Sequence, residues 1–384
     1  MDGRRSQGAG GGWHDVRRAG FAARVPLAEA SRALTTLLRP PAIERLPLAR
    51  AAGRVVATPA AAPRDVPPGA TALLDGYALA AASTYGADPY NPLPIAGATE
   101  VVAGTSLPAG ADTVLPYSAV TERPAGVEVV EPAAPGHGVL PAGSLWEAGQ
   151  CVLPAGRRLG GIDLAAAAAA GIAEVAVVRR PTVRVILRGC KGAGVATDVV
   201  ADLVARDGGS AEASAGDRVA AAGADLVLVV GRTGCGADDD SASRLAALGT
   251  VAVHGVAMAP GGSAGFGSVD GVPVLLLPGE PLACLTAYEL LAGPALRRLA
   301  GLAEALPHPR RERRLAGKIA SQVGTTELWL VREDGAEVAP LAPPERATLA
   351  HAAAACGFVL VPPESEGHDR GDPVTVHELR SSHG

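Results

Sequence analysis

The chain has 384 residues, 48% hydrophobic and 19% charged, which is enough apolar material for two to four domains and excludes a disordered composition. Its formal net charge of −5 argues against nucleic-acid binding, which needs a basic surface. The five cysteines form no C-x-x-C pair, which argues against a disulfide framework or a zinc site. The longest apolar run, 164–178, is too short to cross a membrane, and no signal peptide is recognisable, so we expect a cytoplasmic protein.

The predicted elements begin after residues 1–25, which we interpret as a flexible tail. A helix is predicted from Pro26 to Leu38, because apolar residues recur at helical spacing and Pro40-Pro41 end the pattern. Residues 26–64 and 142–180 are expected to form a mixed N-terminal domain, with 45–64 as an extended connection. Its second helix is predicted over Ile162–Ala170 and a strand over Glu174–Val178.

Between these two parts, residues 65–141 have the texture of a small β-rich lid domain. Short apolar pieces alternate with proline and glycine turns, and no long helical pattern occurs. The predicted strands are Gly76–Leu79, Thr113–Pro116 and Val127–Val130.

Residues 181–305 alternate apolar strands with helical patterns, which predicts a doubly wound sheet with its ligand site at the carboxyl ends of the strands. The predicted strands are Val183–Leu187, Leu226–Val230, Val251–Val256 and Val272–Leu277, and the helices are Asp198–Arg206, Asp217–Ala222, Ser241–Leu248 and Pro281–Leu291. Residues 306–384 predict a C-terminal β-domain with one helix, Thr348–Ala355, and a closing strand, Pro373–Val376. The fold class is therefore a multidomain α/β protein.

Four strand-end loops of the predicted sheet carry the residues of a candidate anion site. Glycines let backbone N–H groups approach phosphate oxygens, and a helix start adds positive potential. Three cations in these loops are candidates for the same ligand, and an aspartate run at 238–240 could bind Mg²⁺ together with phosphate oxygens. The loops are Arg188–Gly194, which contains Lys191; Gly231–Gly236, which contains Arg232 and Gly234; Ala259–Ser263; and Leu277–Pro281, which contains Pro278, Gly279 and Glu280.

Simpler interpretations of the same residues remain open. Glycine-rich loops are often only tight turns, and an aspartate run before a helix is often only a cap. The three cations are equally compatible with solvated loop residues. Cys190 and Cys235 are expected to be small buried side chains rather than a thiol pair, and His254 a structural histidine.

Several segments, in order, resemble the molybdopterin molybdenumtransferases, the family that includes the gephyrin E domain. The resemblance extends from about residue 26 to 378. The segments 62–67 and 74–78 resemble its S-P-x-D-x-P and M-D-G-Y-A motifs, and 103–112 resembles T-G-A-x-L-P-x-G-A-D. Residues 154–156 and 170–172 also match. Residues 231–239 resemble the motif G-G-x-S-x-G-x-x-D, residues 259–267 resemble K-P-G-K-P, and residues 277–281 resemble L-P-G-N-P. The last matching segment is 352–362.

This resemblance implies an enzyme that takes molybdate and adenylylated molybdopterin and releases AMP with the help of Mg²⁺. It implies an elongated homodimer, in which Asp75 and Asp239 are catalytic and come from opposite subunits. It further implies that Asp239 binds the metal, with Asp217 as a second, weakly aligned ligand. Other proteins of the molybdenum-cofactor pathway are expected partners.

The departures from the family pattern lie mostly at charged positions. The two lysines of K-P-G-K-P are Ala259 and Gly262, and the asparagine of L-P-G-N-P is Glu280. The carboxylate pair of T-G-D-E-L is replaced within 190–194, the lid threonine is Ala103, and the acid and base of R-x-G-E-D are missing from 141–145. The arginine of the C-terminal G-R is Thr325. Two hypotheses follow: a molybdenumtransferase, or a catalytically weakened paralogue that binds molybdopterin as carrier, chaperone or regulator.

Overall fold

The computed structural model describes residues 13–124, 126–189, 193–214 and 221–379. The chain divides into two compact units, Met1–Ala42 with Arg179–Gly384, and Ile43–Val178. We call the first the outer unit. The second is inserted between its two parts in the sequence, and we call it the inner unit. Within the described ranges, no helix combines the length and the apolar character needed to cross a membrane.

The outer unit begins with a short strand and an amphipathic helix. Strand β1 is Val25–Pro26 and helix α1 is Leu27–Leu37. The helix buries Ala30 and Leu34, one turn apart, against the core of the large sheet. The predicted helix over 26–38 is confirmed to within one residue at each end.

Among its described residues, the inner unit consists of small antiparallel sheets, one α-helix and short 3-10 turns, with three separate apolar cores. The predicted lid strands are present, and the predicted extended connection contains a strand that pairs with the strand predicted over 174–178. The elements are β2 (Ile43–Pro47), β3 (Ala60–Ala61), β4 (Thr71–Ala72), β5 (Gly76–Leu79), β6 (Leu93–Ile95), β7 (Thr99–Val101), β8 (Thr113–Pro116), β9 (Val120–Arg123), β10 (Gly126–Val129), β11 (Val139–Leu140), β12 (Cys151–Leu153), α2 (Gly161–Ala169) and β13 (Glu174–Val178).

The chain then returns to the outer unit and forms its six-stranded sheet, in the order β15-β14-β16-β20-β19-β17. The first four strands are parallel, and β19 and β17 are antiparallel additions at one edge. The elements are β14 (Thr182–Leu187), α3 (Ala193–Arg206), β15 (Ser210–Ser214), β16 (Leu226–Val230), α4 (Ser241–Leu248), β17 (Thr250–His254), β18 (Val256–Ala259), β19 (Gly265–Val269), β20 (Val272–Leu277), α5 (Pro281–Ala287) and α6 (Gly293–Leu299).

Strand β16 shows why this sheet is covered on both faces. Leu226, Leu228 and Val230 pack in one core, with residues of α1, α3, α5 and α6, whereas Val227 and Val229 pack in another, with residues of α4. Alternate side chains of a strand point to opposite faces, so an uninterrupted apolar strand needs a helix layer on each side. The doubly wound architecture is therefore confirmed.

Two sequence predictions in this sheet were wrong. The single strand predicted over Val251–Val256 is two strands, because Gly255 has a φ of +97° and breaks it. The helix predicted over Pro281–Leu291 ends as an α-helix at Ala287 and continues as one π-helical turn, Tyr288–Ala292. The strands β15 and β19 were not predicted. The helix predicted over Asp217–Ala222 lies mostly outside the described residues.

A seven-stranded sheet completes the outer unit, in the order β1-β18-β23-β25-β27-β21, with β24 paired to β23. It is continuous with the six-stranded sheet along the chain, because β18 follows β17 after the single residue Gly255. The remaining elements are β21 (Arg310–Arg314), β22 (Ile319–Ala320), β23 (Thr326–Asp334), β24 (Glu337–Pro340), α7 (Leu349–Ala354), β25 (Gly357–Val361), β26 (Gly367–His368) and β27 (Pro373–Glu378).

Candidate functional site

Four loops meet at one edge of the six-stranded sheet. Strands β14, β16 and β20 are parallel and end at this edge, and β17 ends there as well, because His254 pairs with Gly265 and Gly265 with Leu276. We call these loops the crevice loops. They comprise residues 188–189, 231–240, 259–264 and 278–280.

Direct hydrogen bonds join the crevice loops to one another. The Gly231 N–H donates to the Leu277 carbonyl at 2.8 Å, and the Arg188 N–H donates to the Val230 carbonyl at the same distance. The hydroxyls of Thr233 and Ser263 lie 3.1 Å apart. The structure thus brings together the strand-end loops that the sequence singled out, as expected for a ligand site of this fold class.

The loop after β16 is held in a left-handed turn at its first two residues. Gly231 has a φ of +102° and Arg232 one of +54°. Ser241, the first residue of α4, closes the turn, because its N–H donates to the Arg232 carbonyl at 3.0 Å and its Oγ to the Gly231 carbonyl at 2.7 Å. The turn leaves Gly234 partly exposed and Gly236 exposed.

Arg188 follows β14 and is buried beside this turn, with only 2% of its surface exposed. Its guanidinium donates to Ser241 Oγ at 3.2 Å and lies 3.0 Å from an Asp240 oxygen. Arg244, one turn along α4, donates to the same carboxylate at 2.7 Å. Burial opposes ionisation of Asp240, but the hydrogen bonds from Arg244 and Arg188 outweigh it and lower its pKa to about 2.

Arg232 stands at the surface of the same cluster. Its side chain is 40% exposed, and its Nη1 lies 3.8 Å from Asp240 Oδ1. A Cβ on Gly189, whose φ is +65°, would lie 2.7 Å from Arg232 Nε, so the glycine makes room for this side chain. The structure therefore brings Arg188 and Arg232 to one carboxylate. Lys191 and Cys190 lie outside the described residues. The prediction that Cys235 is buried was wrong, because its loop leaves it exposed.

Asp239 is folded onto its own loop. Its Oδ2 accepts a 2.7 Å hydrogen bond from the Gly236 N–H, whereas Asp238 is exposed. Among the described residues, no three His, Cys, Asp or Glu side chains are grouped to hold a metal ion. Asp217, the second predicted metal ligand, lies outside the described residues. The carboxylates that the structure describes do not by themselves form a complete Mg²⁺ site, because Asp240 is already bonded to arginines.

Glu280, which replaces the asparagine of the family motif, acts as a helix cap. Its Oε2 accepts a 2.7 Å hydrogen bond from the Ala283 N–H, and Pro281 follows at the first helical position of α5. Gly279 and Glu280 are both exposed at the crevice loops. The replacement therefore preserves the cap while it adds a negative charge near the other loops.

A segment that the sequence assigned to a flexible tail lies against the crevice loops instead. Trp13 packs on the α4 side of the sheet, and the Arg18 N–H donates to the Cys235 carbonyl at 2.8 Å. The Phe21 ring contacts the edge of the His254 ring at 5.0 Å between centroids. Trp13 and Phe21 are two aromatic residues within a short segment, in a chain with only 3% aromatic residues. This enrichment could have predicted that the segment packs against the protein.

His254 has the structural role that the sequence predicted. Its Nε2 lies 2.9 Å from the Thr233 carbonyl, so it connects the end of β17 to the loop after β16. Burial lowers the pKa of His254, against the effect of that hydrogen bond. The neutral ring is therefore the favoured form in the folded protein.

Asp75 lies in the inner unit, exposed at the start of β5. Its Oδ1 accepts a 2.7 Å hydrogen bond from the Ala103 N–H, which belongs to the segment that resembles the family's lid motif. Nearby, Tyr77 donates to Glu122 at 2.7 Å, and this hydrogen bond, together with burial, raises the pKa of Tyr77 to about 12. The two lid motifs that the sequence singled out are thus in contact through Asp75.

Comparison with known proteins finds two family models that match successive parts of the chain. The model described as "MoeA N-terminal region (domain I and II)" matches residues 25–171, and the model "Probable molybdopterin binding domain" matches residues 183–298. Molybdopterin molybdenumtransferase 2 of Mycobacterium tuberculosis is 29% identical over 383 residues, which cover 87% of this chain and 94% of that protein. The molybdopterin molybdenumtransferase of Haemophilus influenzae is 26% identical over 308 residues, covering 71% and 76%.

The fold agrees with these matches. The crystal structure of a molybdopterin biosynthesis MoeA protein from Pyrococcus horikosii superposes with a TM-score of 0.77 at 29% identity, covering 94% of this chain and 100% of that one. A second structure of a MoeA protein, from Pyrococcus horikoshii OT3, gives a TM-score of 0.71 over 93% of this chain. The two family models adjoin in the order of the chain, and relatives and structures match along nearly all of it. The chain therefore belongs to the MoeA and gephyrin-like family of molybdopterin molybdenumtransferases.

Proposed function

We propose that this protein acts in molybdenum-cofactor biosynthesis and inserts molybdate into adenylylated molybdopterin, with release of AMP. The observation that carries the proposal is the meeting of the crevice loops at the carboxyl edge of the sheet, in a chain of this family. Backbone N–H groups of glycine turns bind phosphate oxygens without a side chain in the way. The left-handed turn at Gly231 and the partly exposed Gly234 and exposed Gly236 suit that role.

Each remaining candidate residue has a separate role in this proposed reaction. Arg232 is exposed and binds substrate charge, whereas Arg188 holds the turn through Asp240 and acts as a positioning residue. Pro278, Gly279 and Glu280 shape the loop before α5. Asp239 and Asp75 are the catalytic carboxylates, and we retain Lys191 and Asp217 as binding and metal candidates on the family resemblance.

Mg²⁺ would supply positive charge to neutralise substrate phosphate. Mg²⁺ prefers a few carboxylates together with phosphate oxygens and water rather than a full set of protein ligands. Since the described carboxylates are too few for a complete site, we propose that the ion enters with the substrate and contacts Asp239.

The decisive experiment is molybdate insertion by the purified protein, with adenylylated molybdopterin as substrate and AMP release as the signal. Asp75→Ala and Asp239→Ala should each lower the rate about 100-fold or more, the usual effect of losing a group that acts in the transition state. Asp88→Ala, in the same unit as Asp75, serves as the matched control and should leave the rate unchanged. Near-normal rates in both aspartate variants would remove these residues from the site.

The same assay separates the enzyme from a weakened carrier or chaperone. Measurable molybdopterin binding without AMP release, and without rescue of a strain lacking its molybdenumtransferase, would establish the carrier function instead. We further propose a cytoplasmic homodimer that works with other molybdenum-cofactor pathway proteins. Sedimentation at micromolar concentration should give twice the 38.2 kDa chain mass.

A further inference from the structure

The segment from Trp13 to Pro26 runs along the crevice loops and is attached at several points. Arg18 bonds to the loop after β16, as described above. Further along, the Val25 N–H donates to the Gly255 carbonyl at 3.0 Å, and Val25 pairs with Val256 of β18. We call residues 13–26 the N-terminal segment.

Two glycines that lie between strands make room for side chains of the N-terminal segment. A Cβ on Gly255 would lie 2.6 Å from the Phe21 ring, and a Cβ on Gly262 would lie 3.0 Å from Arg24 Nε. The first distance is shorter than real Cβ contacts, and the second is tight enough that the neighbouring side chain would have to shift by a few tenths of an ångström. The Arg24 side chain therefore occupies space that a side chain at position 262 would need.

Position 262 is one of the two places where the family motif has lysine and this chain does not. Arg24 brings a positive charge to the same backbone position from a different part of the chain. Its Nε donates to the Gly262 carbonyl at 3.1 Å, and its guanidinium carbon lies 5.2 Å from the centre of the Phe21 ring. Both contacts fix the guanidinium beside the loop.

The terminal nitrogens of Arg24 are available for a ligand. The side chain is exposed, and in the part of the chain that the structure describes no carboxylate forms an ion pair with it. Two other arginines near the crevice loops are ion-paired: Arg17 with Asp15, and Arg188 with Asp240. A guanidinium with two unoccupied donors at its end matches the geometry of a phosphate group.

Arg24 also lies close to other polar groups of the crevice loops. Gly262 is followed by Ser263, whose hydroxyl lies 3.1 Å from that of Thr233. A serine hydroxyl and glycine N–H groups thus lie in the same short loop that the Arg24 guanidinium contacts. These are the groups from which proteins build phosphate sites.

We propose that Arg24 is a phosphate-binding residue of the crevice loops, which supplies from the N-terminal segment the positive charge that position 262 lacks. The identity of the phosphate, that of the pterin substrate, rests on the proposed function. Phe21 is a positioning residue, because it acts on the ligand only through Arg24.

The test measures binding to the full-length protein by calorimetry, with molybdopterin and inorganic phosphate as separate probes. Arg24→Gln keeps a donor for the Gly262 carbonyl but removes the charge, and we expect it to weaken binding of both probes about tenfold. Arg24→Lys should recover part of the affinity. The matched control is Arg32→Ala on α1, an exposed arginine for which no ion pair is seen among the described residues, and it should bind like the unchanged protein.

Each outcome decides between the two proposals. If Arg24→Gln binds both probes as tightly as Arg32→Ala does, the role of Arg24 is refuted and the proposed function stands. If the unchanged protein binds phosphate in an Arg24-dependent way but not molybdopterin, Arg24 is retained and the proposed function fails. Binding of neither probe refutes both. Identical thermal unfolding of all variants excludes misfolding as the cause of any loss.

Discussion

At the scale of single residues, Asp240 connects the charged groups of the crevice loops. It binds the buried Arg188 and the surface residue Arg244, and through Arg188 it fixes the turn that starts at Gly231. The sequence presented Asp240 as the last of three similar aspartates. Only the structure separates them, because burial of an arginine from a distant strand is not visible in local composition.

Asp240→Asn should lower the free energy of unfolding at pH 7 by about 3 kcal/mol, since it removes the charge of a carboxylate that is bonded to a buried guanidinium. Urea unfolding measures the change. Asp238→Asn, at an exposed neighbour, is the control and should change stability by less than about 0.5 kcal/mol. Equal effects of the two substitutions would contradict the structural role of Asp240.

The pH dependence of stability provides a second test of Asp240. Its pKa is about 2 in the folded protein, below the ordinary value of about 3.9 for an unfolded aspartate. The stabilisation is therefore complete above about pH 4 and is lost as the pH falls towards 2. We expect the unfolding free energy of Asp240→Asn to depend less steeply on pH in that interval than the unchanged protein does.

At the scale of elements, regular patterns were predictable and backbone breaks were not. The strands predicted over 226–230 and 272–277 are correct because runs of valine and leucine, broken in the second strand only by Pro273, suit buried parallel strands. The break at Gly255 was missed because the apolar residues on both sides of it also fit one longer strand. The strand β15 was missed because its sequence, Ser-Ala-Glu-Ala-Ser, is not apolar and lies at the sheet edge.

The N-terminal segment is an element whose attachment depends on few contacts, which makes it testable by proteolysis. Phe21→Ala removes the ring that contacts His254 and supports Arg24. Trypsin cleavage after Arg17, Arg18 and Arg24 should then become several-fold faster, because local opening costs less free energy. Tyr90→Ala, at a fully exposed tyrosine, is the matched control, and faster cleavage there as well would refute the interpretation.

At the scale of the whole molecule, a buried polar network connects the two large sheets of the outer unit. Glu289, in the π-helical turn, accepts hydrogen bonds from Arg206 at 2.7 and 3.1 Å, and His308 Nε2 lies 3.3 Å from it. Burial alone would raise the pKa of Glu289, but the bonds from His308 and Arg206 lower it. The carboxylate is therefore charged and links helix α3 to the residues that lead into β21.

Glu289→Gln should weaken this link by about 3 kcal/mol, because Arg206 and the buried His308 both lose a charged partner. Calorimetry should show a lower unfolding temperature and a broader or divided transition. Glu304→Gln breaks an exposed pair with Arg298 and should cost less than about 1 kcal/mol. A loss no larger than that of the control would show that the network does not couple the sheets.

The family and its fold class were predictable from the sequence because motif spacing survives substitution. The assignment of individual site residues was less so. Arg188 has the positive charge expected of an anion ligand but is buried. Arg24 was assigned to a tail, although it lies at the crevice loops. Charge in a sequence does not reveal which partner neutralises it, and that depends on contacts between distant segments.

The single-residue connection at Gly255 has an evolutionary consequence. Because β18 pairs with β23 while the preceding β17 pairs with β19, the C-terminal sheet cannot be exchanged for that of a relative as an independent module. A chimera joined near residue 305 would place a foreign β23 against the resident β18, and any mismatch of register would displace the loop at 259–264. Recombination between family members is therefore expected to succeed only where β18 and β23 are inherited together.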